Sequence, residues 1–162
     1  MREYWSPFDR EGFNMDGLNE SQKQAKRGQI IASLNELIGV PYGFGSEWVD
    51  LQKLPKSIDC SEVVEGVYKI ADLFIPDGSQ NQFNYTLPTD NPKLGDLAFF
   101  GRGGKSDQIY HVGVLFDDKN ICEARAFEKD RDWTGKVILR IRTAWEGYKP
   151  NFLGYRVHPL LI

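Results

Sequence analysis

Two side chains in this sequence can do nucleophilic chemistry together. Cys60 stands in Asp59-Cys60-Ser61, at the head of an apolar run whose spacing predicts a helix. At a helix start, unpaired backbone N–H groups and the positive end of the dipole favour a thiolate. The same N–H groups can stabilise an oxyanion forming on an attacked carbonyl. His111 opens the run His111-Val112-Gly113-Val114-Leu115-Phe116, in which alternation puts His111, Gly113 and Leu115 on one face. A base on a strand that faces a helix start is held rigidly against its nucleophile. Each residue also has a plainer reading, Cys60 as a buried structural thiol and His111 as a surface residue of its strand. Position alone leaves both open.

The elements that would have to position these groups are legible in the periodicity. Ile30, Ile31, Leu34, Leu37 and Ile38 trace one buried helical face. Asn19 or Ser21 can cap that helix, and Gly39 with Pro41 can end it near Val40. After the loop Pro41-Tyr42-Gly43-Phe44-Gly45-Ser46, a second helix is expected from Asp59 or Cys60 to about Phe74, burying Val63, Val64, Val67, Ile70 and Ala71. Asp59 or Ser61 can cap it, and Gly66 marks a close packing point. Residues 76–93 read as a polar connection. Short β-branched or aromatic runs at 94–100, 110–116, 121–126 and 137–142 then read as strands, with another in the tail at 152–162. Helices first and strands afterwards predict an α+β fold, with N-terminal helices packed on one antiparallel sheet. The expected organisation is an irregular aromatic arm over residues 1–20 and a single domain over 21–162.

Composition narrows the function. In 162 residues, 41% hydrophobic and 13% aromatic, there is material for one real core. The formal charge of −3, with basic residues scattered among acids, argues against a phosphate-driven grip on nucleic acid. No stretch approaches the roughly 18 apolar residues of a membrane span. The two cysteines, Cys60 and Cys122, have no CxxC spacing, and with two histidines a zinc site is not expected. The first residues, Met1-Arg2-Glu3-Tyr4-Trp5-Ser6-Pro7, lack the zones of a signal peptide. Location therefore stays open between the cytoplasm, export by another machine, and a trimmed chain.

Four motifs in order then carry a resemblance: the loop Pro41-Tyr42-Gly43-Phe44-Gly45, Asp59-Cys60-Ser61, Leu94-Gly95-Asp96-Leu97-Ala98-Phe99-Phe100, and His111-Val112-Gly113-Val114. Over about residues 25–160 the chain resembles the NlpC-type cell-wall cysteine peptidases, and the step from Cys60 to His111 suits that family. The resemblance implies a papain-like domain in which Cys60 attacks an amide carbon and His111 takes and returns the proton. It implies a polar residue about twelve positions after the histidine, which here is Glu123, where His, Asn or Gln is more familiar. If residues 117–119 form a three-residue turn, Glu123 falls opposite Gly113 and diagonal to His111; a four-residue turn would bring Cys122 there instead. The alternative is a surface Glu123 paired with a neighbour such as Arg125. By the same resemblance Tyr42 would help hold the oxyanion, while Asp59 and Ser61 would contact substrate; Asp59 can equally be only a cap. Asp96 reads as structural. Glu62 stands where the family usually has glycine, so it would crowd the cleft or oppose thiolate formation. Trp48, Trp133 and Trp145 are candidates for cleft walls or for plain packing.

The resulting expectation is a monomeric hydrolase with a Cys-His-Glu triad and no cofactor or metal, acting on peptidoglycan stem peptide. The D-glutamyl to diamino-acid bond is the favoured target, and delivery by phage, secretion system or other export would bring the enzyme to the wall. A catalytically drifted binding module and a papain-like acyltransferase are the other readings.

Overall fold

The structure is a computed structural model that describes residues 17–129 and 132–162, with side chains for 17–126 and 135–162. Most of the proposed arm lies outside the described residues, and so does the side chain of Trp133. Helix α1 (Glu20–Leu37) opens with a capping box: Asn19 Oδ1 accepts the Gln22 N–H, and the Gln22 side chain accepts that of Asn19. Ile30, Leu34 and Leu37 are fully buried, whereas Ile38 follows the helix and is 40% exposed. The helix stops three residues short of Val40 because Gly39 takes a positive φ, which turns the chain out of the helical path.

Helix α2 (Cys60–Ile70) starts at Cys60, one of the two expected positions, with Asp59 rather than Ser61 as its cap. It ends earlier than the periodicity predicts, since Asp72 adopts φ +56 and the chain reverses before Leu73. Val63, Val64, Val67 and Tyr68 bury its inner face. Gly66 is a close packing point: a Cβ there would lie 2.2 Å from Trp48 Cε3. The segment 76–93 is not a plain connection. It holds α3 (Ser79–Tyr85) and a short strand β1 (Leu87–Thr89), whose burial depends on neighbours distant in sequence. Gln82 of α3 is buried and donates to the Ser61 carbonyl, tying α3 to the first turn of α2.

The remaining strands are β2 (Leu97–Gly101), β3 (Ile109–Leu115), β4 (Asn120–Lys129), β5 (Asp132–Ile141) and β6 (Phe152–Val157). They form one antiparallel sheet in the order β1-β6-β2-β3-β4-β5. β2 begins at Leu97 because Gly95 takes φ +89 and the Asp96 carboxylate accepts the Lys93 N–H, closing a turn. The same carboxylate pairs with Arg27 of α1 at 2.7 Å, so Asp96 is structural as expected. Arg142, predicted to end a strand, instead opens the short helix α4 (Arg142–Glu146).

Helices α1 and α2 cover one face of the sheet, in a core that includes Leu97, Phe99, Val112, Val114, Cys122 and Ala124. The alternate residues Ala98, Phe100, Leu115 and Ile121 face the other way and pack around Trp145 of α4. Strand alternation thus gives the sheet two cores, and His111 belongs to the Trp145 side.

Candidate active site

The loop ahead of α2 brings Tyr42 to the helix start by backbone pairing. Ile58 N–H donates to Pro41 O and Gly43 N–H to Ile58 O, so Tyr42 runs beside the residues that lead into Cys60. Gly43 is required there, because a Cβ would lie 2.4 Å from Ser57 Oγ. At the helix start Asp59 Oδ1 accepts the Glu62 N–H at 2.9 Å, while Oδ2 accepts the Gly45 N–H at 3.2 Å. One carboxylate therefore caps the helix and tethers the Tyr42 loop. The Cys60 and Ser61 N–H groups open the helix and have no place in its internal ladder.

His111 is positioned from the sheet. Its strand pairs with β4 at Val114↔Cys122 and Leu115↔Ile121, and Phe116 N–H donates to Asn120 O, leaving 117–119 as a three-residue turn. Continuing that register sets Glu123 opposite Gly113, diagonal to His111. His111 Nε2 lies 3.1 Å from Glu123 Oε1, and the Glu123 side chain is fully buried. The surface alternative for Glu123 is thereby corrected, and its cationic partner is not Arg125 but Arg140. Arg140 donates from Nε to Oε2 at 2.9 Å and from Nη2 to Oε1 at 3.0 Å. Trp145 Nε1 adds a third donor at 2.5 Å. The Trp145 ring also stacks on His111, with centroids 5.3 Å apart, and on Phe100. Gly113 leaves room for it: a Cβ at that position would lie 2.8 Å from Trp145 Cζ2.

The electrostatics follow from these contacts. Burial acts to lower the pKa of His111, but hydrogen bonds and charge interactions with Cys60 and Glu123 outweigh it and raise the imidazole to about 9. With Nε2 turned to Glu123, Nδ1 is the nitrogen left for the Cys60 thiol. Burial acts to raise the Glu123 carboxyl, yet His111, Arg140 and Trp145 together hold it below its usual range. Burial first, then Cys60 and Asp59, push the Tyr42 hydroxyl up to about 12. A hydroxyl that keeps its proton is a donor.

Tyr42, Cys60, His111 and Glu123 line one cleft of about 680 Å³. Asp59 and Ser61 flank Cys60 but are engaged with each other, Ser61 Oγ donating to Asp59 Oδ1 at 3.3 Å. Glu62 does not crowd the cleft. It is buried against the preceding loop, where it accepts the Trp48 N–H at 2.8 Å, and burial raises its carboxyl above the usual range. Trp48 packs beneath that loop, its indole N–H donating to Asp50 O and Lys53 O. Among the described residues, Glu62, Glu65 and Asp77 bring carboxylate oxygens within 4.8 Å of one another, away from the cleft lining.

The sequence reading missed Arg140, Phe44, Arg102, Tyr110 and Tyr148 on the cleft wall. No local signal marks them, since arginine and aromatic residues on strands and loops are common surface features. Arg140 reaches Glu123 because β5 pairs with β4 along ten residue pairs, placing Arg140 opposite Ile121.

Residues 39–132 match the NlpC/P60 family. Peptidoglycan endopeptidase RipB of Mycobacterium tuberculosis is 30% identical over 93 residues, covering 52% of this chain and 39% of that protein. The chain thus spans about two-fifths of the curated relative it matches. The solved structure of RipB superposes with a TM-score of 0.64 at 22% identity, over 90% of this chain and 69% of that one. An NlpC/P60 family protein from Bacillus cereus gives 0.65 at 21% identity, over 82% and 40%. The P60 domain of an antigen from Mycobacterium avium subspecies paratuberculosis gives 0.63 at 21%, over 86% and 98%. These likenesses establish the expected α+β fold, and with more than half its length inside the family match, the chain belongs to the NlpC/P60 family.

Proposed function

We propose that this protein is a cysteine peptidase that hydrolyses an amide bond in peptidoglycan stem peptide, with Cys60 as nucleophile, His111 as acid and base, and Glu123 as orienting residue. The observation that carries this reading is the continuous chain of contacts in one cleft, from Cys60 through His111 to the buried Glu123. Membership of a family that includes peptidoglycan hydrolases supports the substrate class.

In the proposed reaction Cys60 Sγ attacks the amide carbon as a thiolate paired with the His111 imidazolium. The carbonyl oxygen takes up the electron pair and is met by the Cys60 and Ser61 N–H groups and by the Tyr42 hydroxyl. His111 gives its Nδ1 proton to the leaving amine, the C–N bond breaks, and a thioester remains on Cys60. Water attacks the thioester with His111 as base, releasing the acid and restoring the thiolate. Glu123 holds Nε2–H throughout and so fixes the ring and its tautomer. By family resemblance the favoured bond joins D-glutamate to the diamino acid. Asp59 and Ser61 are proposed to face the substrate backbone next to Cys60. In this proposal residues 21–162 form one hydrolase domain that works as a monomer.

The drifted-module reading rested on Glu62 and Glu123. Glu62 turns away from the cleft, and Glu123 is bonded to the histidine it would orient, so neither residue now favours that reading. The deciding experiment is digestion of purified peptidoglycan by wild type and Cys60→Ala, with products read by mass spectrometry. Fragments that vanish in the variant are the expected result, and their masses name the bond. A folded wild type that releases none from several wall chemotypes would overturn the proposal.

A further inference from the structure

The charges that line the cleft are unlike those of the chain as a whole. The protein carries a net −3, yet the charged side chains on the wall are Arg102, Arg125, Arg140, His111 and a single carboxylate, Glu123. That carboxylate is not offered to a ligand. Its Oε1 receives His111 and Arg140, its Oε2 receives Arg140 and Trp145, and its side chain has no solvent exposure. Arg140 in turn spends Nε and one terminal nitrogen on Glu123. What the wall presents to a bound peptide is therefore cationic.

Arg102 is the best placed of these groups. Its guanidinium lies over the Tyr110 ring, 5.4 Å from the centroid, and the Tyr110 hydroxyl accepts a hydrogen bond from Asn151 Nδ2 at 2.9 Å. The backbone beneath is pinned as well: Arg102 N–H donates to Gln108 O, and Lys105 N–H donates to Arg102 O. Gly103 and Gly104, both at positive φ, make the tight turn between them. A guanidinium held over a ring still has its N–H donors to offer, and their planar fork matches a carboxylate. The side chain is exposed, so little desolvation opposes the pairing.

We propose that Arg102 reads a free carboxylate beside the scissile amide, so that the enzyme cuts acidic stem peptides in preference to their amidated forms. The inference rests on the hydrolase reading above and adds to it the residue that selects the substrate. Two groups on a stem peptide have this chemistry: the α-carboxylate left free when glutamate is linked through its side chain, and the second carboxylate of a diamino diacid.

The test uses synthetic stem peptides with both carboxylates free, with the glutamyl carboxylate amidated, and with the diamino-acid carboxylate amidated. For wild type, amidation of the carboxylate that is read should lower kcat/KM by roughly ten- to a hundredfold, mostly through KM. Which amide has the effect identifies the source. Arg102→Gln should impose a similar loss on the free acid and none on that amide, so that discrimination collapses. Thermal melting of each variant checks that it is folded. Equal turnover of all the peptides by wild type, or an equal slowing of all of them by Arg102→Gln, would overturn the proposal while leaving the hydrolase reading intact. If wild type cuts none of them, the hydrolase reading fails separately. Calorimetric binding to Cys60→Ala then decides the carboxylate question, with tighter binding of the free acid that is lost with Arg102→Gln supporting it and equal binding of acid and amide overturning it.

Discussion

The chain has two histidines, and the contrast between their surroundings separates the proposed reactive corner of the molecule from the merely packed one. His111 lies between Cys60 and a buried carboxylate, partners that favour the charged ring, and its pKa is raised to about 9. His158 lies where the C-terminal segment closes over α2. Its Nδ1 accepts the Leu160 N–H at 3.1 Å, so Nε2 must carry the hydrogen donated to the Phe74 carbonyl at 2.6 Å. Burial first, and then the charge of Lys26, hold its pKa below the ordinary value, outweighing the Phe74 carbonyl, which acts to raise it. A second proton on Nδ1 would meet another donor. Both rings touch aromatic neighbours and are hydrogen-bonded, so packing alone does not distinguish them. The chemical nature of the partners does.

The sharpest way to break this comparison is to remove each group in turn. Cys60→Ala and His111→Ala should each lower peptide hydrolysis by at least on the order of 10³-fold, because members of such a unit fail together. His158→Ala should leave the rate of the folded enzyme nearly unchanged while costing about 1–3 kcal/mol of stability, measured by denaturant unfolding. A rate loss of similar size at His158 would erase the distinction. Glu123→Gln ranks next, with a fall of roughly a hundredfold in kcat, since Arg140 and Trp145 lose the anion they hold and the imidazolium loses its counter-charge. Arg140→Met should instead leave that carboxylate unbalanced and shift the alkaline limb of the pH–rate profile upward.

Two smaller effects concern pH and labelling. In wild type the rate should fall as pH rises through about 9, where His111 loses its proton. The stabilisation that His111 contributes is fully present below about 6.5 and is lost over the same rise. His158 works in the opposite sense: its lowered pKa stabilises the fold above about 6.5, and that contribution is lost as pH falls through the depressed value. Melting temperatures of the single histidine variants across pH 4–10 should show these opposite slopes, and parallel slopes would count against the assignments. Finally, iodoacetamide at neutral pH should modify Cys60 well before Cys122. The latter is fully buried, and burial, then Glu123, push its thiol up to about 12.

Much of this architecture can be read from short stretches of sequence. The candidate caps of α1 at Asn19 or Ser21, the start of α2 at Asp59 or Cys60, the core alternation along β3 and a turn of three or four residues after Phe116 each depend on a few neighbouring residues. Their causes are local, namely unpaired helix N–H groups, strand alternation and turn hydrogen bonds. The turn length in particular decided that Glu123, rather than Cys122, shares a face with His111. Local reasoning failed where partners came from elsewhere. It ran α2 on to Phe74, although Asp72 reverses the chain, and it overlooked α3, whose Gln82 is held by the Ser61 carbonyl. It also gave Glu62 a place in the cleft that its bond to the Trp48 N–H denies it.

The sequence by itself therefore placed the two side chains that the proposed chemistry needs, a cysteine on a helix start and a histidine on a strand. Only the tertiary structure decided how that chemistry is tuned. Arg140 and Trp145 reach Glu123 from β5 and α4, and Arg102 reaches the cleft with its guanidinium over the Tyr110 ring. The physical reason is range: capping and alternation act within one turn or one strand, whereas the charge a buried carboxylate meets depends on which strands the sheet makes neighbours.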